Sequence, residues 1–233
     1  MKTIAIIPAA GFGIRMNAGI PKQFLKLDGK PILAVTLEKF NRCPLVDGIV
    51  LVVPVDDIGF CINEIVKKYK LNKVLRVTAG GKRRQDSVRA GIEAIEGECD
   101  FVLIHDGVRP FVSTETIQNS IEAIKDERAV ITAVPVKDTV KKVSEKGYVA
   151  KTYDRKLLWL VQTPQVFRYD DIRNAHRKAE AEAWEEVTDD AMLMEKLGIP
   201  VKVVVGSEEN IKVTTPHDLA YAEFLLDKKN EKK

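Results

Sequence analysis

Short apolar runs, mostly β-branched, recur along the chain, and most are followed by a segment whose apolar residues repeat at helical spacing. This alternation restricts the fold more than any other feature. Ile4–Ile7, the run from 48 to 54, Val74–Thr78, Phe101–His105, the run from 129 to 136 and Val201–Val205 are each short enough for one strand. Continuous rather than alternating hydrophobicity is what a strand needs when both faces of its sheet are covered. Between them, residues 32–41, 58–69, 83–95 and 114–125 carry helical stripes, with Pro31 and Ser113 as start signals. Repeated strand–loop–helix units predict an α/β fold built on a doubly wound, mostly parallel sheet with right-handed crossovers, a Rossmann-like arrangement. With 233 residues, 45% hydrophobic, the chain can bury the core of one large domain over 1–233, and no linker or repeat divides it.

The pattern changes between Lys137 and Phe167. T-V-K-K-V, S-E-K-G-Y and V-A-K-T-Y alternate polar and apolar residues around Gly147, which predicts a projecting β-hairpin arm over 137–163. An isolated two-stranded hairpin is marginally stable, so this one is expected to dock on its own domain or on another subunit. Helices over 169–186, 189–197 and 216–226 and a frayed lysine-rich tail complete the reading, with Lys212 on a short strand.

Three loops carry chemistry. In the first, Pro8, Ala9, Ala10, Gly11 and Gly13 follow a buried strand, and Arg15 and Lys22 follow the glycines. Small residues let backbone N–H groups approach a ligand, and two cations beside them suit a polyphosphate. Met16 stands where a dinucleotide fingerprint needs its third glycine, and no G-x-x-x-x-G-K-[ST] loop exists, so both of those nucleotide sites are excluded. The second loop is G-G-K-R-R-Q-D-S, residues 80–87, at a strand-to-helix junction, where Asp86 and Ser87 could equally be helix caps. Ligands of open α/β sheets lie outside the carboxyl ends of the strands, which sets this loop beside the first. The third is His105-Asp106-Gly107-Val108-Arg109-Pro110. There Asp106 can ligate Mg²⁺ or substrate hydroxyls, or form an internal ion pair, and His105 reads as a structural residue.

Composition narrows the partners. Lys and Arg number 37 against 34 for Asp and Glu, a net charge of +3, too small to indicate nucleic-acid binding. Three scattered cysteines without C-x-x-C spacing suggest neither a disulfide framework nor a zinc site. No run approaches ~18 apolar residues, and the short N-terminal apolar run does not read as a signal peptide, so the expectation is a cytoplasmic protein without a membrane span.

Taken in order, P-A-A-G-F-G-I-R-M, P-K-Q-F-L, G-G-K-R-R-Q-D-S-V, H-D-G-V-R-P-F, P-V-K-D-T-V, T-P-Q-V-F, T-D-D-A and N-I-K-V-T-T-P-H-D-L span nearly the whole chain. This set resembles the 2-C-methyl-D-erythritol 4-phosphate cytidylyltransferases of isoprenoid biosynthesis. The resemblance implies a homodimer with exchanged arms, the substrates CTP and 2-C-methyl-D-erythritol 4-phosphate, and Mg²⁺ held mainly through the CTP phosphates. It implies that Arg15 and Lys22 stabilise the transition state at the α-phosphate, and that Ala9, Ala10, Gly11, Gly81, Lys82 and Ser87 line the cytosine and ribose pocket. Asp106 and Arg109 would face metal, ribose or the sugar hydroxyls. Thr139, Arg155, Thr163, Thr188 and Lys212 would hold the second substrate, with Arg155 and Thr163 reaching the neighbouring subunit's site. The ribitol-5-phosphate cytidylyltransferases share P-K-Q-F, R-P-F, T-P-Q and N-I-K but resemble L-A-G-G in the first loop and D-S-V-R-P in the third. A non-catalytic nucleotide-binding module is the alternative from a different class.

Overall fold

The computed structural model describes residues 1–11, 20–185 and 187–230. Strand β1, Thr3–Pro8, leads to the first loop, then a 3-10 turn at Lys22–Phe24 and a minimal ribbon of β2, Lys26–Leu27, with β3, Lys30–Pro31. Helix α1 covers Ile32–Arg42 and strand β4 Gly48–Val53. The helix expected over 58–69 opens with a 3-10 turn at Val55–Asp57, continues as α2, Ile58–Phe60, and widens into a π-helical stretch at Cys61–Lys67. Strand β5, Val74–Ala79, helix α3, Arg84–Glu93, strand β6, Phe101–Ile104, helix α4, Thr114–Ala123, and strand β7, Ala129–Pro135, follow as the periodicity predicts. The Ser113 hydroxyl accepts the Thr116 N–H at 2.9 Å, which caps α4.

The hairpin is present but shorter than expected: β8, Lys141–Val143, pairs with β9, Val149–Thr152, about a turn in which Gly147 adopts φ +82°. The chain then enters β10, Trp159–Arg168, a strand of the main sheet inside the stretch expected to be only hairpin. Helix α5, Tyr169–Ala181, helix α6, Ala191–Lys196, strand β11, Lys202–Val205, and helix α7, Pro216–Asn230, complete the order. Lys212 is not on a strand; its segment is tied to the loop after β6 by a backbone bond from Val213 N–H to the Val108 carbonyl at 2.9 Å.

The seven-stranded sheet has the order β11-β7-β10-β6-β1-β4-β5. β10 runs antiparallel to both its neighbours, and the remaining pairs are parallel. The continuous apolar runs divide between two faces with a period of two. Ala5, Ile7, Ile49, Leu51 and Leu103 pack with Leu33, Leu37 and Phe40 of α1 and Ile117 of α4. Ile4, Ile6, Val50, Val52, Val102 and Ile104 pack with Val88 and Ile92 of α3 and with α5 and α6. Helices on both faces leave the carboxyl edge of the parallel strands as the place where loops converge. Among the described residues, no helix is long and apolar enough to cross a membrane.

Candidate active site

The loops after β1, β5 and β6 meet at this edge. Gly80 makes the meeting close: a Cβ there would lie 2.4 Å from Ala10 Cβ and 2.7 Å from Ser87 Oγ, so any larger residue would push the first two loops apart. Ser87, at the start of α3, accepts the Gly81 N–H on its hydroxyl at 3.2 Å and so fixes the second loop. A cavity of about 160 Å³ opens there, lined by Ala9, Ala10, Gly11, Lys22, Gln23, Gly81, Lys82, Arg84, Ser87, Asp106 and Lys212 among others. The residues expected in the nucleotide pocket are therefore brought together. Arg15 and Gly13 lie outside the described residues.

A second cavity, about 480 Å³, adjoins the first and is lined by Arg109, Gln162, Thr163, Gln165, Thr188, Asp189 and others. Arg84, Asp106 and Lys212 line both. Asp106 is the centre of this junction. Its Oδ1 accepts from Arg84 Nε at 3.1 Å, and its Oδ2 lies 3.3 Å from Arg109 Nε and 3.0 Å from Lys212 Nζ. Burial pushes its pKa up, but Arg84, Lys212 and Arg109 outweigh burial and hold the carboxyl well below the usual carboxylate range. Arg84 reaches on to Asp190, its Nη1 donating to Oδ2 at 2.7 Å. This cluster of fixed cations around a permanently ionised carboxylate suits ligands richer in negative charge than a single carboxylate.

His105 is structural, as its place at a strand end suggests. It is fully buried, and burial lowers its pKa to about 4. The Arg109 carbonyl accepts at 3.1 Å, which assigns the proton to Nε2 and leaves Nδ1 to accept from the Thr163 hydroxyl at 3.0 Å. Thr163 Oγ1 in turn accepts the Asp106 N–H at 3.1 Å. Thr163 thus corrects one expectation: it belongs to β10 and is buried beside Asp106 of its own chain, not carried outward on the arm. Arg155 and Thr139 do lie outside both cavities; Arg155 is exposed, its Nη1 donating to the Lys137 carbonyl at 2.8 Å, and Thr139 is exposed just before β8.

Arg84, Asp190 and Gln165 escape a reading by residue type. Gln165 donates to Asp189 Oδ2 at 2.7 Å and Asn210, fully buried, donates to the Thr163 carbonyl at 2.8 Å, so both shape the second cavity's wall. Their only sequence signal is membership of G-G-K-R-R-Q-D-S-V for Arg84, T-P-Q for Gln165, T-D-D-A for Asp190 and N-I-K for Asn210. Among the described residues, no group of three or more His, Cys, Asp or Glu side chains could hold a metal ion.

Known proteins match this architecture over its whole length. The family model for 2-C-methyl-D-erythritol 4-phosphate cytidylyltransferase, IspD, matches residues 3–228. A protein of that name from Geobacter metallireducens is 50% identical over 232 residues, spanning 98% of this chain and 99% of its own. One from Clostridium acetobutylicum is 49% identical over 224 residues, 96% of this chain and 97% of its own. The crystal structure of 4-diphosphocytidyl-2C-methyl-D-erythritol synthase from Anaerococcus prevotii superposes with a TM-score of 0.86 at 36% identity, covering 97% of this chain and 98% of the other. The Francisella tularensis cytidylyltransferase gives 0.81 at 37%, with 96% and 99% covered. The chain belongs to the 2-C-methyl-D-erythritol 4-phosphate cytidylyltransferase family.

Proposed function

We infer that the protein transfers the cytidylyl group of CTP to 2-C-methyl-D-erythritol 4-phosphate, giving 4-diphosphocytidyl-2-C-methyl-D-erythritol and pyrophosphate, a step of non-mevalonate isoprenoid synthesis. The observation that carries this reading is the pair of adjoining cavities whose shared wall is Arg84, Asp106 and Lys212. A reaction between two phosphate-bearing molecules needs two compartments and cations between them. The smaller cavity, edged by the glycine loop and Ser87, takes the nucleotide, and the larger takes the sugar phosphate.

Attack by a phosphate oxygen of the sugar substrate on the α-phosphorus develops negative charge on the equatorial oxygens and on departing pyrophosphate. Positioned cations therefore supply most of the catalysis, and no covalent nucleophile is needed. Lys22 and Arg15 are assigned to that charge, Lys212 and Arg155 to orienting the second phosphate, and Ala9, Ala10, Gly11, Gly81, Lys82 and Ser87 to the nucleoside. Asp106, Arg109, Thr139, Thr163 and Thr188 are assigned to hydroxyls and the sugar phosphate.

Mg²⁺ fits at the edge of this arrangement. Asp106 lines both cavities, and its Oδ1, which accepts from Arg84 Nε, has the acceptor capacity of a carboxylate oxygen for a further partner. The cation would neutralise charge on the triphosphate, with phosphate oxygens as its main ligands and Asp106 as its protein contact.

The second assembly feature follows from the arm. Tyr148 is 74% exposed and Val149 63%, and every residue of β8 and β9 is exposed. With Arg155 directed into neither cavity of its own chain, a homodimer with exchanged arms, each arm bringing Arg155 to the other site, accounts for both facts. As a single-domain unit the remainder of the chain carries the site. A cytoplasmic location accords with the buried free thiols Cys43 and Cys61. The test of the reaction is pyrophosphate release from CTP and Mg²⁺ with either sugar phosphate. Rapid release with methylerythritol phosphate and none with ribitol 5-phosphate is expected. The reverse preference moves the chain to the ribitol reading, and release with neither makes it a binding module.

A further inference from the structure

Asp190 is buried, lines neither cavity, and stands where an aspartate ordinarily caps a helix. It is the residue before α6, yet its carboxylate makes no cap bond. The cap is supplied by others: Asp189 Oδ1 accepts the Met192 N–H at 3.1 Å and Gln165 Oε1 the Ala191 N–H at 3.3 Å. The Asp190 side chain turns the opposite way. With 1% of it exposed, its Oδ2 accepts from Arg84 Nη1 at 2.7 Å, and its Oδ1 lies 3.3 Å from Nε2 of the equally buried His176 of α5. That second approach is an electrostatic contact rather than an aligned hydrogen bond.

Burying a carboxylate costs several kcal/mol unless its partners compensate, and a cap bond available one turn away has been given up. Arg84 supplies the reason. It is the cation common to both cavities besides Lys212, and its fork is divided, Nε to Asp106 and Nη1 to Asp190. A guanidinium held by Asp106 alone could pivot about one contact; held at two points by two buried acids, it has one orientation.

We propose that Asp190, backed by His176, is a positioning residue: it fixes the Arg84 guanidinium, and through it the Asp106 carboxylate, at the wall where nucleotide and sugar phosphate meet. This rests on the cytidylyltransferase reading above. It predicts an effect contrary to simple charge arithmetic. The junction holds the cations Arg84, Arg109 and Lys212 against the acids Asp106 and Asp190, so removing Asp190 makes it more positive and should help anions bind. Positioning predicts instead that turnover falls.

The experiment is a double-mutant cycle on steady-state kinetics with CTP and methylerythritol phosphate, using Asp190→Ala, Arg84→Lys and the double variant, each checked for folding by circular dichroism. Asp190→Ala should lower kcat about 100-fold, the loss typical of a misplaced catalytic group, with the KM for CTP nearly unchanged. Because Asp190 acts through Arg84, the double variant should be no slower than the slower single one. Losses that multiply, or an Asp190→Ala enzyme of normal kcat, overturn the proposal. If Asp190→Ala does not fold, His176→Leu replaces it, with both acids left in place: a kcat loss seen in the wild-type background and absent with Arg84→Lys supports the relay, and equal loss or no loss in either background overturns it. An inactive wild-type protein would instead reject the cytidylyltransferase reading.

Discussion

Lowering the pH from 7.5 to 5 should weaken folding by about 2 kcal/mol through His105 alone. The unfolded chain protonates this residue near 6.5, but in the folded protein burial holds it neutral down to about 4. Between those values the unfolded state binds a proton that the folded state does not, so stability is full above pH 6.5 and falls as pH drops toward 4. For these two pKa values the protonation free energies differ by about 2 kcal/mol at pH 5 and by less than about 0.1 at pH 7.5. The same neutrality matters to the site, since a bare Nδ1 is what accepts the Thr163 hydroxyl proton and leaves Thr163 Oγ1 to hold the Asp106 N–H. The assay is urea unfolding of wild type and His105→Asn at both pH values. His176, His217 and the carboxylates are common to both proteins and cancel in the difference. The variant should lose about 2 kcal/mol less than wild type on acidification. Equal losses would refute the argument and mean that His105 is not buried in its neutral form.

Three further outcomes are expected. Gly91→Ala should destabilise by about 1 kcal/mol or more in urea unfolding: a methyl there lies 2.6 Å from Ile6 Cγ2 and 3.0 Å from Val52 Cγ2, and overpacking outweighs the gain in helix propensity. Lys22→Ala should lower kcat by the equivalent of roughly 3 kcal/mol, with calorimetric CTP affinity far less affected; loss of affinity with normal kcat would make Lys22 a ground-state binder. Mixing inactive Lys22→Ala and Arg155→Ala proteins under subunit exchange should restore activity to at most about half per mixed dimer, because one site regains both residues. No recovery despite exchange, or an active monomer by light scattering, would remove the shared site.

Strands β1, β4, β6 and β7 were legible because strands covered on both faces must be apolar nearly throughout, whereas the edge strands β5 and β11 are partly exposed and carry Arg76 and Lys202. β10 was not legible. Its middle, Gln162-Thr163-Pro164-Gln165, is polar and falls in the stretch whose changed pattern predicts the hairpin, yet Gln162, Thr163 and Gln165 are buried and hydrogen-bonded to Asn210, His105 and Asp189 respectively. Pro164 falls where the pairing with β7 shifts register, a position that needs no ladder N–H. Those polar residues face the second cavity, so the site itself disguised the strand that forms its floor. Arg84 was hidden differently. Arg83 and Arg84 are indistinguishable by type, but Arg83 is the extended residue just before α3 and pairs outward with Asp86, whereas Arg84, the first residue of the helix, turns inward to Asp106 and Asp190. Asp190 was hidden as well: the expected helix over 189–197 takes it in as an ordinary helical residue, whereas it precedes α6 and turns to Arg84.

The proposed transfer is direct: one in-line displacement at the α-phosphorus, driven by fixed cations. The stereochemical course of the reaction tests it most directly. The protein is supplied with one diastereomer of CTP carrying sulfur on the α-phosphorus, together with Mg²⁺ and methylerythritol phosphate, and the configuration of the product is read by phosphorus NMR. A single displacement predicts inversion. Retention would require two displacements and a cytidylylated side chain, and would contradict the claim that charge and position alone carry the reaction.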